Sequence, residues 1–346
     1  MIEQSIVSQN IERKYYSGID ALRAFSAIGI LMMHVRANSS FQISGFVYNR
    51  LIPSFSDLVF LFMTISAFAL CSGYYNKVIQ NQFNAISFYK KRYSKILPFF
   101  MVLILIDLFH SPSLPALIES ITNVTCLYGL LPNCGNITVI GVGWFIGVIF
   151  IFYLLFPFFC ALLNNKKVFF LMLLLSIVFN LYFSKYYNID RTNFLFCLMF
   201  FIIGGGMYLY TNIFSSINYF FIIFSCCISY CIYLFIDNQF KLLLYLLFVI
   251  FVLLFSIKST NKLKNNRLIS FLSSISMEIY LSHMLIFRIV EKTGHNSIIE
   301  NDLLQYSVTV LLVLVGTIVF SYCTKVLLIN LFRILSSRSK KCILKN

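Results

Sequence analysis

The sequence predicts an all-α polytopic membrane protein with about ten transmembrane helices and both termini cytoplasmic. Three observations carry that prediction. The 346 residues are 60% hydrophobic and 11% charged, with a mean hydropathy of +0.86. A soluble chain of this size needs about a quarter of its residues charged. Apolar stretches of about 17 to 25 residues, long enough to cross a bilayer as helices, recur from end to end and leave no segment for a soluble domain. The basic residues are also divided unevenly. With the N-terminus inside, only Arg36, Arg50, Lys185, Arg191, Lys241, Arg288 and Lys292 fall outside, 7 of the 27 Lys and Arg, and the other 20 fall on the inner side. Cytoplasmic loops of membrane proteins carry this excess. The net charge of +15 is therefore mostly a topology signal with anionic inner-leaflet lipid as its partner, and nucleic acid is excluded.

The expected spans cover residues 19–36, 54–74, 95–110, 141–162, 168–184, 193–210, 217–236, 240–257, 268–290 and 303–330. They divide the chain into a cytoplasmic N-terminal segment 1–18, a transmembrane domain 19–332 and a basic cytoplasmic tail 333–346. The N-terminal segment, MIEQSIVSQNIERKYYSG, lacks the basic-then-apolar order of a cleaved signal peptide, so the first span directs insertion. With 39 Phe and 21 Tyr against one Trp, packing between spans relies on Phe and anchoring at the interfaces on Tyr. In the sixth span Gly204-Gly205-Gly206 follows no strand, so it serves close helix packing or a kink rather than phosphate binding.

The ten Cys lie mostly within spans, with no CxxC pair and no Cys/His cluster at metal spacing, so no metal is expected. Cys126 and Cys134 differ. Both fall in the outer loop 111–140, where an oxidising compartment permits a disulfide and the spacing leaves its formation open. The same loop holds Asn123-Val124-Thr125 and Asn136-Ile137-Thr138, triplets that matter only in a cell able to glycosylate them.

Ionisable groups inside or at the ends of spans are expensive to place and so mark function. In the first span eleven positions separate Arg23 from His34. At 100° per residue the two side chains share a helix face, about 16 Å apart along the axis. Asp20 stands one turn before Arg23, placed for an i, i+3 pair near the helix N-terminus. The next basic segment runs Ser87-Phe88-Tyr89-Lys90-Lys91-Arg92-Tyr93-Ser94-Lys95-Ile96-Leu97-Pro98. If it is helical, Arg92 and Lys95 share a face and suit a phosphate-bearing ligand, while Lys90 and Lys91 belong to the positive-inside cluster. Trp144 opens the fourth span from outside, where a lone Trp is an ordinary interfacial anchor. In the ninth span, Ser276-Met277-Glu278-Ile279-Tyr280-Leu281-Ser282-His283, Tyr280 and His283 share a face. Glu278 and His283 stand about 140° apart around the helix and form no obvious acid–base couple.

Taken in order, these fragments resemble the acyltransferase 3 family of integral-membrane O-acyltransferases. They are Gly18 to Ala24 with His34, Phe62 to Phe68, Phe88 to Pro98, Trp144-Phe145-Ile146 with Tyr153 and Pro157, and Ser276 to His283. The resemblance spans nearly the whole chain. It implies transfer of an acyl group, commonly acetyl, from acyl-coenzyme A to a hydroxyl of a cell-surface polysaccharide, lipopolysaccharide or lipid-linked sugar precursor. It also implies residence in a bacterial inner membrane. The family's Arg-x10-His pattern falls on Arg23 and His34, and its second basic motif on Arg92 and Lys95. That motif usually has Arg at both ends, and Lys95 keeps the charge but not the bidentate fork. Many members carry a Glu after the Trp, whereas Phe145 to Leu155 contains no acid, which points to a subgroup.

Acyl transfer to a hydroxyl needs a base, groups that hold the thioester donor, and exclusion of water. The resemblance therefore implies His34 as general base or transient acyl carrier, with Asp20 beside Arg23. Arg23, Arg92 and Lys95 hold the phosphates of acetyl-coenzyme A, the co-substrate. Trp144, Glu278, Tyr280 and His283 are further motif positions. The competing class is a transporter or flippase for a glycan or small anion, since buried ions on many spans also describe carriers. The absence of an evident internal repeat and the two cation clusters count against it.

Overall fold

The computed structural model describes residues 16–131, 134–137, 139–259, 266–294 and 300–343, with no side-chain description at 136, 137, 215 and 335–343. Among the described residues it is all-helical. We label the main helices α1 (Ser17–Ala37), α2 (Leu58–Ile79), α3 (Ala85–His110), α4 (Leu114–Val124), α5 (Trp144–Leu163), α6 (Lys166–Val178), α7 (Phe194–Leu209), α8 (Tyr219–Phe235), α9 (Lys241–Lys258), α10 (Arg267–Ser274), α11 (Ser276–Lys292) and α12 (Asp302–Ile343). Parts of segments 1–18 and 333–346 lie outside the described residues, as do Lys262, Lys264 and Thr138 of the second glycosylation triplet.

Local sequence explains where several helices begin. Asn84, Asn165, Asn193, Asn218 and Asn266 each precede a helix and accept a hydrogen bond from an N–H of its first turn. The side-chain oxygen replaces a partner that the helix itself cannot supply. The basic segment 87–98 is the first half of α3, with Pro98 inside the helix, so Arg92 and Lys95 do lie one turn apart. The second span enters irregularly. A π-helical turn at Val47–Leu51, Pro53 and a 3-10 turn at Phe55–Asp57 precede α2 and set Asp57 at its start.

Seven helical stretches are long and apolar enough to span a membrane, and the α10–α11 pair, bent by 67° at Ile275, is an eighth if taken as one span. α7 and α8, with 16 and 17 residues, are apolar but shorter than these stretches. At 1.5 Å per residue they reach about 24 to 26 Å, less than the roughly 30 Å hydrocarbon core. The expected spans 193–210 and 217–236 thus exist as helices without meeting the length criterion. The expected ninth span 268–290 is broken, and the tenth is longer than expected. The protein is a multi-pass membrane protein.

α1 packs against α2, α9, α10, α11 and α12, which places Arg23 and His34 inside the bundle. Its approach to α9 is backbone-close: a Cβ at Gly18 would lie 2.1 Å from the Ser256 carbonyl oxygen. α2 and α7 form the most extensive pair. The three glycines of α7 serve packing, as expected, since a Cβ at Gly204 would sit 2.2 Å from the Thr64 carbonyl oxygen of α2. Phenylalanines fill the resulting core, with Phe60 stacked on Phe200 at 4.4 Å and Phe152 on Phe201 at 4.1 Å. Phe158, Phe220 and Leu311 project outward instead, an apolar surface that suits lipid.

Candidate active site

Two clusters of polar side chains lie inside the bundle, one near each end of α1. The first lines a cavity of about 190 Å³. Arg23 comes from α1, Phe62 and Ser66 from α2, Arg92 and Lys95 from α3 and Tyr153 from α5, while Ser273, Ser274, Ser276 and Glu278 come from the α10–α11 bend. The break at Ile275 allows one sequence segment to present three hydroxyls and a carboxylate to the same space.

Arg23 pairs with Asp20 at 3.4 Å, and Asp20 also accepts a hydrogen bond from Ser273 Oγ at 2.8 Å, which ties α1 to α10. Glu278 is 7% exposed and pairs with Lys325 of α12 at 3.2 Å. Lys325 Nζ further donates to the Ser274 carbonyl at 2.5 Å. Arg92 sits among three aromatic rings, 5.3 Å from Tyr74, 5.3 Å from Phe88 and 5.7 Å from Tyr153. Its buried Nε has no hydrogen-bond partner among the described residues. Among those residues neither Arg92 nor Lys95 is ion-paired, although the charges of Arg23, Arg92, Glu278 and Lys325 all act on Lys95. The wall thus offers two cations to an anion without breaking an existing pair. All three cations named from the sequence meet here.

The second cluster lies towards the other end of α1. The His34 and His283 rings have centroids 5.0 Å apart, tilted by 42°. His283 is 1% exposed, and its Nδ1 stands 2.7 Å from the Tyr280 carbonyl. A carbonyl only accepts, so the proton is on Nδ1 and Nε2 carries a lone pair. That Nε2 is buried and has no hydrogen-bond partner among the described residues. Tyr280 in turn donates from its hydroxyl to the Val142 carbonyl at 3.1 Å. Tyr280 and His283 share the face predicted for them. Glu278 does not join the histidines and belongs to the first cavity.

Residues 16–326 match a family model described as an acyltransferase domain. The chain belongs to the acyltransferase 3 family. No curated protein and no solved structure matches it. One more charged residue of this membrane acyltransferase stands near the histidines, at a position that the sequence marks only as a basic residue outside the spans. Arg191, just before α7, stacks 4.9 Å from the Phe60 ring and 5.5 Å from the Trp144 ring, and is the charged group that acts on His34. It pairs with Asp57 at 3.4 Å and donates to the Ser56 carbonyl at 2.6 Å. Asp57 also accepts from Tyr233 at 2.7 Å. The available signal was Asp57 itself, an acid at the start of a span, which needs a partner. Trp144, half-buried beneath Arg191, is part of this cluster rather than a plain interfacial anchor.

Cys126 and Cys134, whose bridging the spacing leaves open, are free thiols in this structure and fully buried. Cys134 donates to the Thr192 carbonyl at 2.8 Å, which fixes its sulfur on a different partner. Burial pushes the Cys126 thiol up to about 12, so it stays protonated at neutral pH.

Proposed function

We propose that the acyltransferase carries an acyl group, preferably acetyl, from acyl-coenzyme A at the cytoplasmic face to a hydroxyl of a surface carbohydrate or lipid-linked sugar precursor. In this reading α7 and α8 also span, giving ten spans with both termini cytoplasmic in a bacterial inner membrane. The observation that carries the reading is the meeting of Arg23, Arg92 and Lys95 in one cavity, with Arg92 and Lys95 in no ion pair among the described residues. Coenzyme A phosphates supply anionic partners for Arg92 and Lys95, since the cavity's one carboxylate, Glu278, pairs with Lys325, and Arg presents its donors in a fork that fits phosphate. The pantetheine arm then runs along α1 towards His34, a distance of about 16 Å.

At the far end His34 takes the proton of the acceptor hydroxyl. The oxygen attacks the thioester carbonyl, forming the ester bond as the carbon–sulfur bond breaks. The departing thiolate takes the proton back from His34 and leaves as coenzyme A. His283 positions the base: its Nε2, which has no hydrogen-bond partner among the described residues, is the acceptor offered to an N–H of His34 on substrate binding, leaving the other His34 nitrogen for the hydroxyl. Arg191 is fixed by Asp57, Phe60 and Trp144 and supplies positive charge for the oxyanion of the tetrahedral intermediate. The surrounding Phe side chains keep water from the thioester.

The test is transfer by purified protein in nanodiscs, using labelled acetyl-coenzyme A and carbohydrate acceptors isolated from the same cells. Transfer is expected from the wild type and absent from His34→Ala. Full transfer by His34→Ala sinks the assignment of the base, and transport of a glycan without coenzyme A dependence sinks the enzyme reading. Mass spectrometry of surface glycans from cells with and without the protein then names the acyl group and sugar.

A further inference from the structure

The two clusters are not joined by open space. Phe62 of α2 is the cavity residue nearest the outer end of its helix, and beyond it stand two more rings, Phe145 of α5 and Tyr280 of α11. The three rings close on each other. Their centroids are 6.2 Å apart for Phe62–Phe145, 6.1 Å for Phe62–Tyr280 and 5.2 Å for Phe145–Tyr280. All are buried, at 5%, 1% and 2% exposure respectively. Tyr280 is 6.1 Å from His283, so the far side of the triad abuts the histidines. Each helix keeps the same order: cavity residue, aromatic ring, outer cluster. On α1 the positions between Arg23 and His34 on the shared face are Ala27 and Ile30, also buried at 0% and 2%.

We infer that the Phe62–Phe145–Tyr280 triad is the acyl-size filter of this transferase, admitting short acyl groups and rejecting long ones. The inference rests on the acyl-coenzyme A reading above. A donor held by its phosphates at Arg23, Arg92 and Lys95 enters the triad with the acyl group leading. Two of the rings are held in place. Tyr280 is tethered through its hydroxyl to the Val142 carbonyl, and Phe145 lies against both Phe62 and Tyr280. Phe62 borders the cavity, so its ring is the one with space to swing into. A rotation of one ring admits a narrow pantetheine arm and an acetyl group. Each further methylene must be packed against rings already in contact, and interiors of this density resist added volume.

The experiment measures kcat/KM in nanodiscs for acetyl-, butyryl-, hexanoyl- and octanoyl-coenzyme A, using wild type, Phe62→Ala, Phe62→Leu and Phe152→Leu. Inhibition by adenosine 3′,5′-bisphosphate, which carries phosphates without the pantetheine arm, reports the phosphate end separately. In the wild type, hexanoyl is expected at least about tenfold below acetyl. In Phe62→Ala the ratio is expected to shrink to within about threefold, with inhibition by adenosine 3′,5′-bisphosphate, which does not reach the triad, unchanged. Phe62→Leu, which keeps most of the apolar volume, falls between them and serves if the alanine variant does not fold. Phe152→Leu changes a buried ring that stacks on Phe201, away from the triad, and is expected to keep the wild-type profile. An unchanged profile in both Phe62 variants, with acetyl transfer intact, overturns the filter alone. A wild type that favours octanoyl overturns it as well. A wild type that transfers from no donor sinks the transferase reading, and the filter falls with it.

Discussion

Replacing Arg92 by Met separates donor recognition from stability, because the two effects differ in size. The guanidinium lies 5.3 to 5.7 Å from three aromatic rings and shares the cavity with Arg23 and Lys95. Losing the ring contacts costs about 0.5–1 kcal/mol each at sites open to water. Removing one of three clustered cations relieves repulsion of similar size, on the order of 1 kcal/mol per charge pair at an effective dielectric of 20 or more. The two nearly cancel, and the unliganded protein is expected to change in stability by no more than about 1 kcal/mol. Binding has no such compensation. A hydrogen bond to a charged group contributes about 1.5–3 kcal/mol, so Arg92→Met is expected to raise the Kd for acetyl-coenzyme A by about 10- to 150-fold. Arg92→Lys, which keeps the charge without the fork, falls between. Titration calorimetry of purified protein measures the Kd, with S-acetylpantetheine as a donor lacking phosphates. Its affinity is expected to be the same in wild type and variant. An equal loss for both donors, or no loss for acetyl-coenzyme A, refutes the assignment of Arg92 to phosphate.

Other parts of the structure make independent predictions. Arg191→Gln keeps the hydrogen-bonding capacity to Ser56 but removes the charge near His34; kcat is expected to fall about 100-fold or more while the Kd for coenzyme A stays within about twofold. Equal changes in both would mean that the two ends of α1 are not separate sites. Gly204→Ala places a methyl 2.2 Å from the Thr64 carbonyl oxygen, backbone that cannot swing aside. A loss of about 1–3 kcal/mol is expected, read as a lower thermal midpoint, and an unchanged midpoint would contradict the close α2–α7 approach. Cys126 and Cys134 are expected to alkylate fully in denaturant without reductant and to resist alkylation in the native state at neutral pH. A peptide pair linked at these positions in the mass spectrum would show a bridge instead.

Most of the fold was legible because the cues were local. Hydropathy located a helical segment at every expected span, although α4 (Leu114–Val124) lies within what read as the loop 111–140. Where tertiary contact decides, the reading stopped short. Nothing in residues 268–290 marks Ile275 as the place of a 67° bend. The α7 and α8 segments read as spans of 18 and 20 residues, and their helices end at 16 and 17. Cys126 and Cys134 shared a loop, yet Cys134 turns to the Thr192 carbonyl of the segment before α7.

The candidate site divides along the same line. The sequence by itself determined that Arg23 and His34 share one face of one helix, that Arg92 and Lys95 are a turn apart, and that Tyr280 and His283 are aligned. Helix periodicity sets each of these within a single element. It also established the membrane setting, since burying so much apolar surface with so few charges admits no other solvent. Only the tertiary structure decided that the three cations line one cavity, that Glu278 is neutralised by Lys325 rather than working with His283, and that His34 meets His283. The same holds for Arg191, brought from the connection before α7 to cap Trp144 beside Phe60. Such meetings depend on which helices pack together and at what angle. Periodicity orients a side chain on its own helix but carries no information about the neighbour it faces.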